Sequence, residues 1–464
     1  MPPGQRLPGS RQLAGALGLN RNTTLAAYAE LVAEGWLAPS AARGTFVSAE
    51  LPEASPRATR VRGLRMGLGF SLGSPPRVSL EAPLKEGTLR FGSGTADLTT
   101  LPVEALARAY RRAICGADRR NLDYGDPRGH PRLREQLAVM LAAARGLAFD
   151  PSTVLVTRGS QMGLALVAQT LIEAGDVVAV EELGHARAWE AFRSAGARLV
   201  PIKVDEQGLK VEELRKLMEA TSVRALYTTP HHQHPTTVTL SPGRRLSLLD
   251  LARTKRLAII EDDYDHEFHY EARPVLPLAS MDEAGVVVYL GSLSKIFAPG
   301  PRIGFIVAPK PLVERLALHR CVQDGQGDLA MEAAVAELLE DGEVFRHARR
   351  VRRLYLGRRD ALVSALIKHF GTRVEFRVPS GGLAIWLRAP PGIDVEEWSR
   401  RALLAGVFVF TARHFAFDDR PRPFLRLGFS LLDETQLKEG VRRLALALPP
   451  PGRGPGSRQA RQLA

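Results

Sequence analysis

Two hydrophobic rhythms divide the chain. Over residues 10–17, SRQLAGAL, the apolar Leu13, Ala14 and Leu17 recur at helical spacing, with Ser10 expected as the cap and Gly18 as the stop. A second helix is expected from Asn20 or Asn22 to Glu34, with Leu25, Tyr28, Leu31 and Val32 as its apolar stripe and Gly35 ending it. WLAPSAARGTFVS then reads as two short strands, 36–38 and 45–47, with Arg43 and Gly44 near the tip of the turn. Two short helices around a glycine turn, followed by such a wing, form a winged helix-turn-helix pattern. In the large remainder, short apolar runs alternate with helical stretches. Strands are expected at 154–157, 177–180, 198–202, 226–229, 258–261, 286–290 and 303–308, and helices from 159 on, through Trp189, at 211–220 and at 243–254. Near-continuous apolar strands separated by helices predict an α/β unit whose mainly parallel sheet is covered on both faces. In such a sheet the ligand lies beyond the carboxyl ends of the strands.

Composition fits this picture. The 464 residues are 45% hydrophobic, enough for more than one cored unit. A formal charge of +13 suits a nucleic-acid partner or a generally basic solvated surface. Cys115 and Cys321 stand far apart and in no metal-ligand spacing, which suits a reducing cytoplasm. Neither a signal-peptide layout nor a bilayer-length apolar run is present, so no membrane partner is expected. Residues 49–90, rich in Pro, Gly, Ser and Arg, read as a linker, and 450–464 as a disordered basic tail.

The candidate chemistry falls where the sheet predicts it. GSLSKIFAPGPRIGF, 291–305, follows an apolar run and offers one lysine, Lys295, with the hydroxyls of Ser292 and Ser294 and the planar fork of Arg302. A lysine amine forms a Schiff base with an aldehyde, and an anion-binding surround suits pyridoxal phosphate; the plainer reading is a surface lysine beside a turn. GSQMG, 159–163, opens a helix straight after a strand, so its free N–H groups, with Ser160 and Gln161, can hold a phosphate or merely cap the helix. His185 follows the 177–180 strand, where its ring could stack on a cofactor. IIEDDYDHEF, 259–268, leaves its strand with an acidic cluster. Asp262 there could hold a pyridinium nitrogen charged, with Tyr264 bonding the ring's phenolic oxygen. A metal patch of Asp262, Asp263, Asp265 and His266 is the alternative. Those ligands are too close in sequence to converge, so no metal is expected.

The first 48 residues resemble the winged helix-turn-helix of the GntR regulators: LPGSRQLAGALGLNRNTTLAAYAELVAEGWL followed by RGTFV. The family usually carries another helix before the PG-x-x-LP segment, where this sequence has only MPPGQRLP; either a misassigned start or a shortened first helix is expected. The resemblance implies operator DNA as a partner, met by Arg11, Arg21, Asn22, Thr23 and Thr24, and by Arg43 and Gly44 of the wing. Residues 91–449 resemble a fold-type I, aminotransferase-like pyridoxal-phosphate domain with a smaller C-terminal α+β subdomain at about 320–449. By that resemblance Lys295 carries the cofactor as an aldimine. Asp262, Tyr264, Ser292, Ser294, Arg302, Ser160, Gln161, His185 and His234 surround it, and Arg426 grips the carboxylate of a small amino-group effector. Tyr124, in YGDPRGHPRLREQLA, would reach the phosphate of a partner subunit, which implies a head-to-tail homodimer. The family loop P-x-x-Q-N-P-T-G reads PHHQHPTT at 230–237, placing His234 at its asparagine and Thr237 at its glycine, and His185 stands where a tyrosine is usual. The whole layout resembles the MocR/GabR regulators. That implies a cytoplasmic transcription factor sensing an amine or the vitamer, the alternative being an aminoadipate-type aminotransferase with a vestigial first domain.

Overall fold

Apolar strands without polar alternation need cover on both faces, and this chain supplies it. The computed structural model describes residues 1–40, 43–49, 70–78, 82–92, 94–116, 119–271 and 275–450, in two compact units, Met1–Pro75 and Pro76–Ala464. The expected linker lies partly outside the described residues, at 50–69 and 79–81, and the expected tail from residue 451 onward.

The first unit contains α1 (Ser10–Leu17), α2 (Arg21–Ala33), β1 (Leu37–Ser40) and β2 (Gly44–Val47). The strands pair antiparallel, Leu37 opposite Val47 and Ser40 opposite Gly44. Ser10 is not the cap of α1. Gly9 holds that position without a side-chain bond, and Ser10 begins the helix. Gly18 closes it in the left-handed region, and the Asn20 side chain caps α2 by accepting from the Asn22 N–H at 2.9 Å. The rotation of α2 also differs from the expected stripe. Leu25 and Leu31 are 43% and 36% exposed, while Thr24 is buried, at 4% exposed.

The second unit opens with β3 (Leu89–Phe91), α3 (Val103–Cys115) and α4 (Pro131–Arg145). The alternating segment follows: β4 (Val154–Thr157), α5 (Ser160–Leu171), β5 (Val177–Glu181), α6 (Ala186–Ser194) and β6 (Arg198–Ile202). A small hairpin, β7 (Val204–Asp205) and β8 (Gly208–Leu209), leads to α7 (Val211–Ala220), β9 (Ala225–Thr228), α8 (Pro242–Lys255) and β10 (Ala258–Asp263). Then come β11 (Val287–Ser292), β12 (Gly304–Val307) and the helices α9 (Lys310–Gln323), α10 (Leu329–Glu340) and α11 (Glu343–Phe370). The chain continues with β13 (Glu375–Phe376), β14 (Ala384–Arg388), α12 (Val395–Leu404), β15 (Val407–Thr411), β16 (Phe424–Gly428) and α13 (Glu434–Leu446).

The main sheet runs β4-β12-β11-β10-β9-β5-β6 and is parallel except for β12, which is antiparallel to both neighbours. Side chains alternate between two cores: Val154 and Val156 enter one, and Leu155 enters the other. The smaller sheet, β13-β14-β16-β15-β3, corrects the expected boundary. Its edge strand comes from residues 89–91, two of which had been read as linker, and it pairs parallel with β15. Burial explains this: Phe91 is 0% exposed, and a Cβ on Gly440 of α13 would lie 2.5 Å from its ring.

Candidate functional site

Several of the parallel strands send their carboxyl ends toward one cavity of about 730 Å³. One wall is built to hold an anion. Gly159, at φ 78, turns the chain from β4 into α5, leaving the first N–H groups of that helix free, with Ser160 and Gln161 on the wall. Glycine suits that positive φ, and a Cβ there would also push on Nη2 of Arg302, 2.6 Å away, which donates to the Arg158 carbonyl at 3.0 Å. At the end of β11, the Ser292 hydroxyl donates to Ser294 Oγ at 2.9 Å and accepts the Ser294 N–H at 3.0 Å. That turn presents both serines and Lys295 to the same cavity.

The charge pattern identifies what fits. Burial, then the positive charge of Arg426, holds the Lys295 amine down to about 8, against the opposing pull of Asp265 and Asp262. Asp262 also lines the cavity. Tyr227 donates its hydroxyl to Oδ2 at 2.8 Å, while the buried Oδ1 has no hydrogen-bond partner. Burial pushes this carboxyl up to about 7, against the Tyr227 bond and with the charges of Asp263, Asp265 and Glu181. A buried carboxylate with one oxygen unsatisfied fits a cationic N–H such as a pyridinium nitrogen. Together with a depressed lysine and an anion-holding wall, it fits pyridoxal phosphate.

Tyr264 is on the wall as expected, but its hydroxyl donates to the His232 carbonyl at 2.9 Å. His185 and His234 face one another edge-on, ring centroids 5.9 Å apart. Burial, then the charges of Arg187 and Lys295, holds His185 down to about 4; burial and Arg426 hold His234 well below its usual range. Both rings are therefore neutral near pH 7, suited to stacking and hydrogen bonding. The loop carrying His234 hangs from Glu181, which accepts from the hydroxyls of Thr228 (2.7 Å) and Thr229 (2.9 Å) and from Gln233 Nε2 (3.1 Å). The His234–Pro235 peptide is cis, and Thr237 sits at φ 63.

One expected residue falls elsewhere. Arg426 is fully buried on β16 between Trp386 and Phe410 and does not line the cavity; its Nε donates to the Pro235 carbonyl at 3.3 Å. Arg413 and His414, just past β15, line it instead. Tyr124, expected to serve a partner subunit, is 94% exposed. Sequence reasoning missed Tyr227, Glu181, Arg413 and His414, all of which lie at or next to strand ends. In the first unit Arg11, Arg21, Asn22, Thr23, Arg43 and Gly44 are exposed. Thr24 is corrected: it is 4% exposed and its hydroxyl faces the interior, so it cannot read DNA from this position.

Residues 84–444 match the family described as aminotransferase class I and II, and residues 1–47 match the bacterial regulatory proteins of the gntR family. The probable rhizopine catabolism regulatory protein MocR of Rhizobium meliloti is 31% identical over 447 residues, 95% of this chain and 89% of its own. The HTH-type transcriptional regulator TauR of Rhodobacter capsulatus is 32% identical over 472 residues, 96% of this chain and 92% of its own. Among solved structures, the α-aminoadipate aminotransferase LysN of Thermus thermophilus, complexed with N-(5′-phosphopyridoxyl)-L-leucine, superposes with a TM-score of 0.73. It is 30% identical, over 78% of this chain and 92% of that one.

Proposed function

We propose how the chain works from the premise that it belongs to the MocR type of GntR-family transcriptional regulators, a helix-turn-helix domain joined to a class I and II aminotransferase domain. It is a DNA-binding regulator whose large domain takes pyridoxal phosphate. When bound, the cofactor supplies an aldehyde that condenses with primary amines and a cationic ring that withdraws electrons. Lys295 would be the attachment point, the pKa of its amine lowered to about 8 by burial and by Arg426. Asp262, oriented by Tyr227 and with Oδ1 unpartnered, would accept a hydrogen bond from the ring nitrogen. Ser160, Ser292, Ser294, Arg302 and the N–H groups of α5 would hold its phosphate, and His185, His234, Gln161 and Tyr264 supply the remaining wall.

A small amino-group effector enters beside Lys295. Arg413 and His414 on the wall offer hydrogen-bond donors for its acid group, Arg413 being held in place by Asp419 at 2.9 Å, and the buried charge of Arg426 adds to the positive field. Two copies pair head to tail, and the exposed Tyr124 of each reaches the phosphate of the other. The exposed Arg11, Arg21, Asn22, Thr23 and Arg43 then meet paired operator half-sites, and the chain works in the cytoplasm where that DNA is. Effector binding changes transcription by favouring one DNA-binding arrangement, since a ligand shifts an equilibrium only by its differential affinity.

The observation that carries this reading is that Lys295 and the half-partnered Asp262 line one cavity with the anion-holding groups. A salt-controlled gel shift on DNA upstream of its own gene tests it, with pyridoxal phosphate and a panel of amino acids. Wild type should bind this DNA above its non-specific level. Its apparent Kd should change by about fivefold or more on loading with the cofactor and a fitting amine. Lys295→Ala should bind the DNA and not respond. Binding no better than to random DNA, or a Lys295→Ala response equal to wild type, would overturn the reading.

A further inference from the structure

A second polar cluster lies outside the cofactor cavity. His231, Asp263 and His266 are 3%, 2% and 1% exposed, and each places a ligand atom within 4.8 Å of the others. None of them lines the cavity. Neither ring nitrogen of His231 has a hydrogen-bond partner, and neither has Nε2 of His266 or Oδ1 of Asp263. The His231 and His266 rings lie 4.6 Å apart at 32°, and His266 Nδ1 is 3.0 Å from Asp263 Oδ2. An imidazole always carries polar nitrogens, so burying His231 unpaired costs more than burying an apolar ring of similar size.

We propose that His231, Asp263 and His266 form a binding site for a divalent transition-metal ion of the zinc class. Two imidazoles and one carboxylate make a zinc-type donor set, whereas calcium and magnesium prefer oxygen ligands throughout. Zinc–ligand distances of about 2.0–2.1 Å put tetrahedral ligands about 3.4 Å apart. The present spacing therefore closes with side-chain rotations of about an ångström. Support around the ligands is in place: Tyr289 donates its hydroxyl to Asp263 Oδ2 at 2.7 Å, the kind of contact that fixes a ligating carboxylate. Arg145, 3.9 Å from the same oxygen, opposes a cation, and Glu267, paired with Arg145, offsets it.

The sequence reading rejected a metal because its acidic candidates crowd one stretch. Two of those acids are engaged elsewhere: Asp262 faces the cofactor cavity, and Asp265 Oδ1 bonds His232 at 2.8 Å. Convergence comes from His231, which parallel pairing of β9 with β10 brings alongside. A bound metal would tie the 230–237 loop, which carries His234, to the strand end that carries Asp262.

The test uses the full, untagged chain, freed of vitamer with hydroxylamine and of metal with a chelator, then dialysed against buffered zinc. Wild type should retain about one equivalent per chain, with binding weakened about tenfold or more in His231→Asn and in His266→Asn. The Cys115→Ser/Cys321→Ser variant, which removes two exposed thiols, should bind as wild type does. Near-UV circular dichroism in chelator checks that the variants fold. X-ray absorption on zinc-loaded wild type gives a readout that needs no variant and should show two imidazoles with oxygen. Well under one equivalent, sulfur ligation, or unchanged binding in folded His231→Asn would overturn the proposal.

Discussion

Lys295 must be uncharged to attack an aldehyde, so the depression of its amine to about 8 sets the pH at which the chain captures its cofactor. A lysine at its ordinary 10.5 would remain protonated through neutral pH. The capture rate should rise with pH and level off above about 8. Arg426→Met removes a positive charge, so the Lys295 pKa rises and the plateau moves to higher pH. Stopped-flow capture rates check both, and a wild-type profile still climbing in the ordinary lysine range contradicts the assignment. Asp262→Asn removes the anion facing the ring nitrogen. A lost charge-assisted hydrogen bond is worth about 1.5–3 kcal/mol, so cofactor Kd should weaken about ten- to hundredfold, read by equilibrium dialysis. At this scale the sequence showed chemistry better than position. Lys295, Asp262 and Ser292 were legible because they lie at or just past the ends of strands whose apolar runs are unmistakable. Thr24 and Arg426 were not, because whether a polar side chain turns inward depends on packing that no short pattern encodes.

The loop after β9 shows what an element adds. Thr237 holds φ 63, a conformation that a β-branched residue rarely adopts. Thr237→Gly should relieve about 1–3 kcal/mol of strain and return about 0.4–1 kcal/mol through the freer unfolded chain. Urea unfolding should therefore show a net gain of about 1 kcal/mol. Glu181→Ala acts in the opposite direction. It strips the acceptor from Thr228, Thr229 and Gln233, and should cost about 3 kcal/mol. The loss should be accompanied by weaker cofactor binding, because the same loop carries His234. Strands of the main sheet were readable from sequence to within a residue or two, since buried parallel strands are continuous apolar runs, whereas those of the smaller sheet were not placed. The edge strand β3 was not: three residues amid Gly- and Pro-rich chain carry no period, and they become a strand only by pairing with β15, more than 300 positions later in the chain.

The molecule as a whole joins a basic DNA-binding unit to a cofactor-binding one, and the net charge of +13 makes its DNA affinity strongly salt-dependent. Arg21→Ala and Arg43→Ala should each lower the slope of log Kd against log salt by about 1. Thr24→Ala, at a buried site, should leave the slope unchanged. Two-domain organisation was legible from the change in hydrophobic rhythm, and the cofactor from the order of its motifs. The buried His231–Asp263–His266 cluster was not, because it depends on which strands lie side by side. The central claim is that the buried amine of Lys295 captures pyridoxal phosphate, and borohydride reduction of the cofactor-loaded chain followed by peptide mass spectrometry tests it most directly. The account predicts one phosphopyridoxyl group, fixed on Lys295 and absent from Lys295→Ala. An unmodified Lys295, or label spread over exposed lysines, would contradict it.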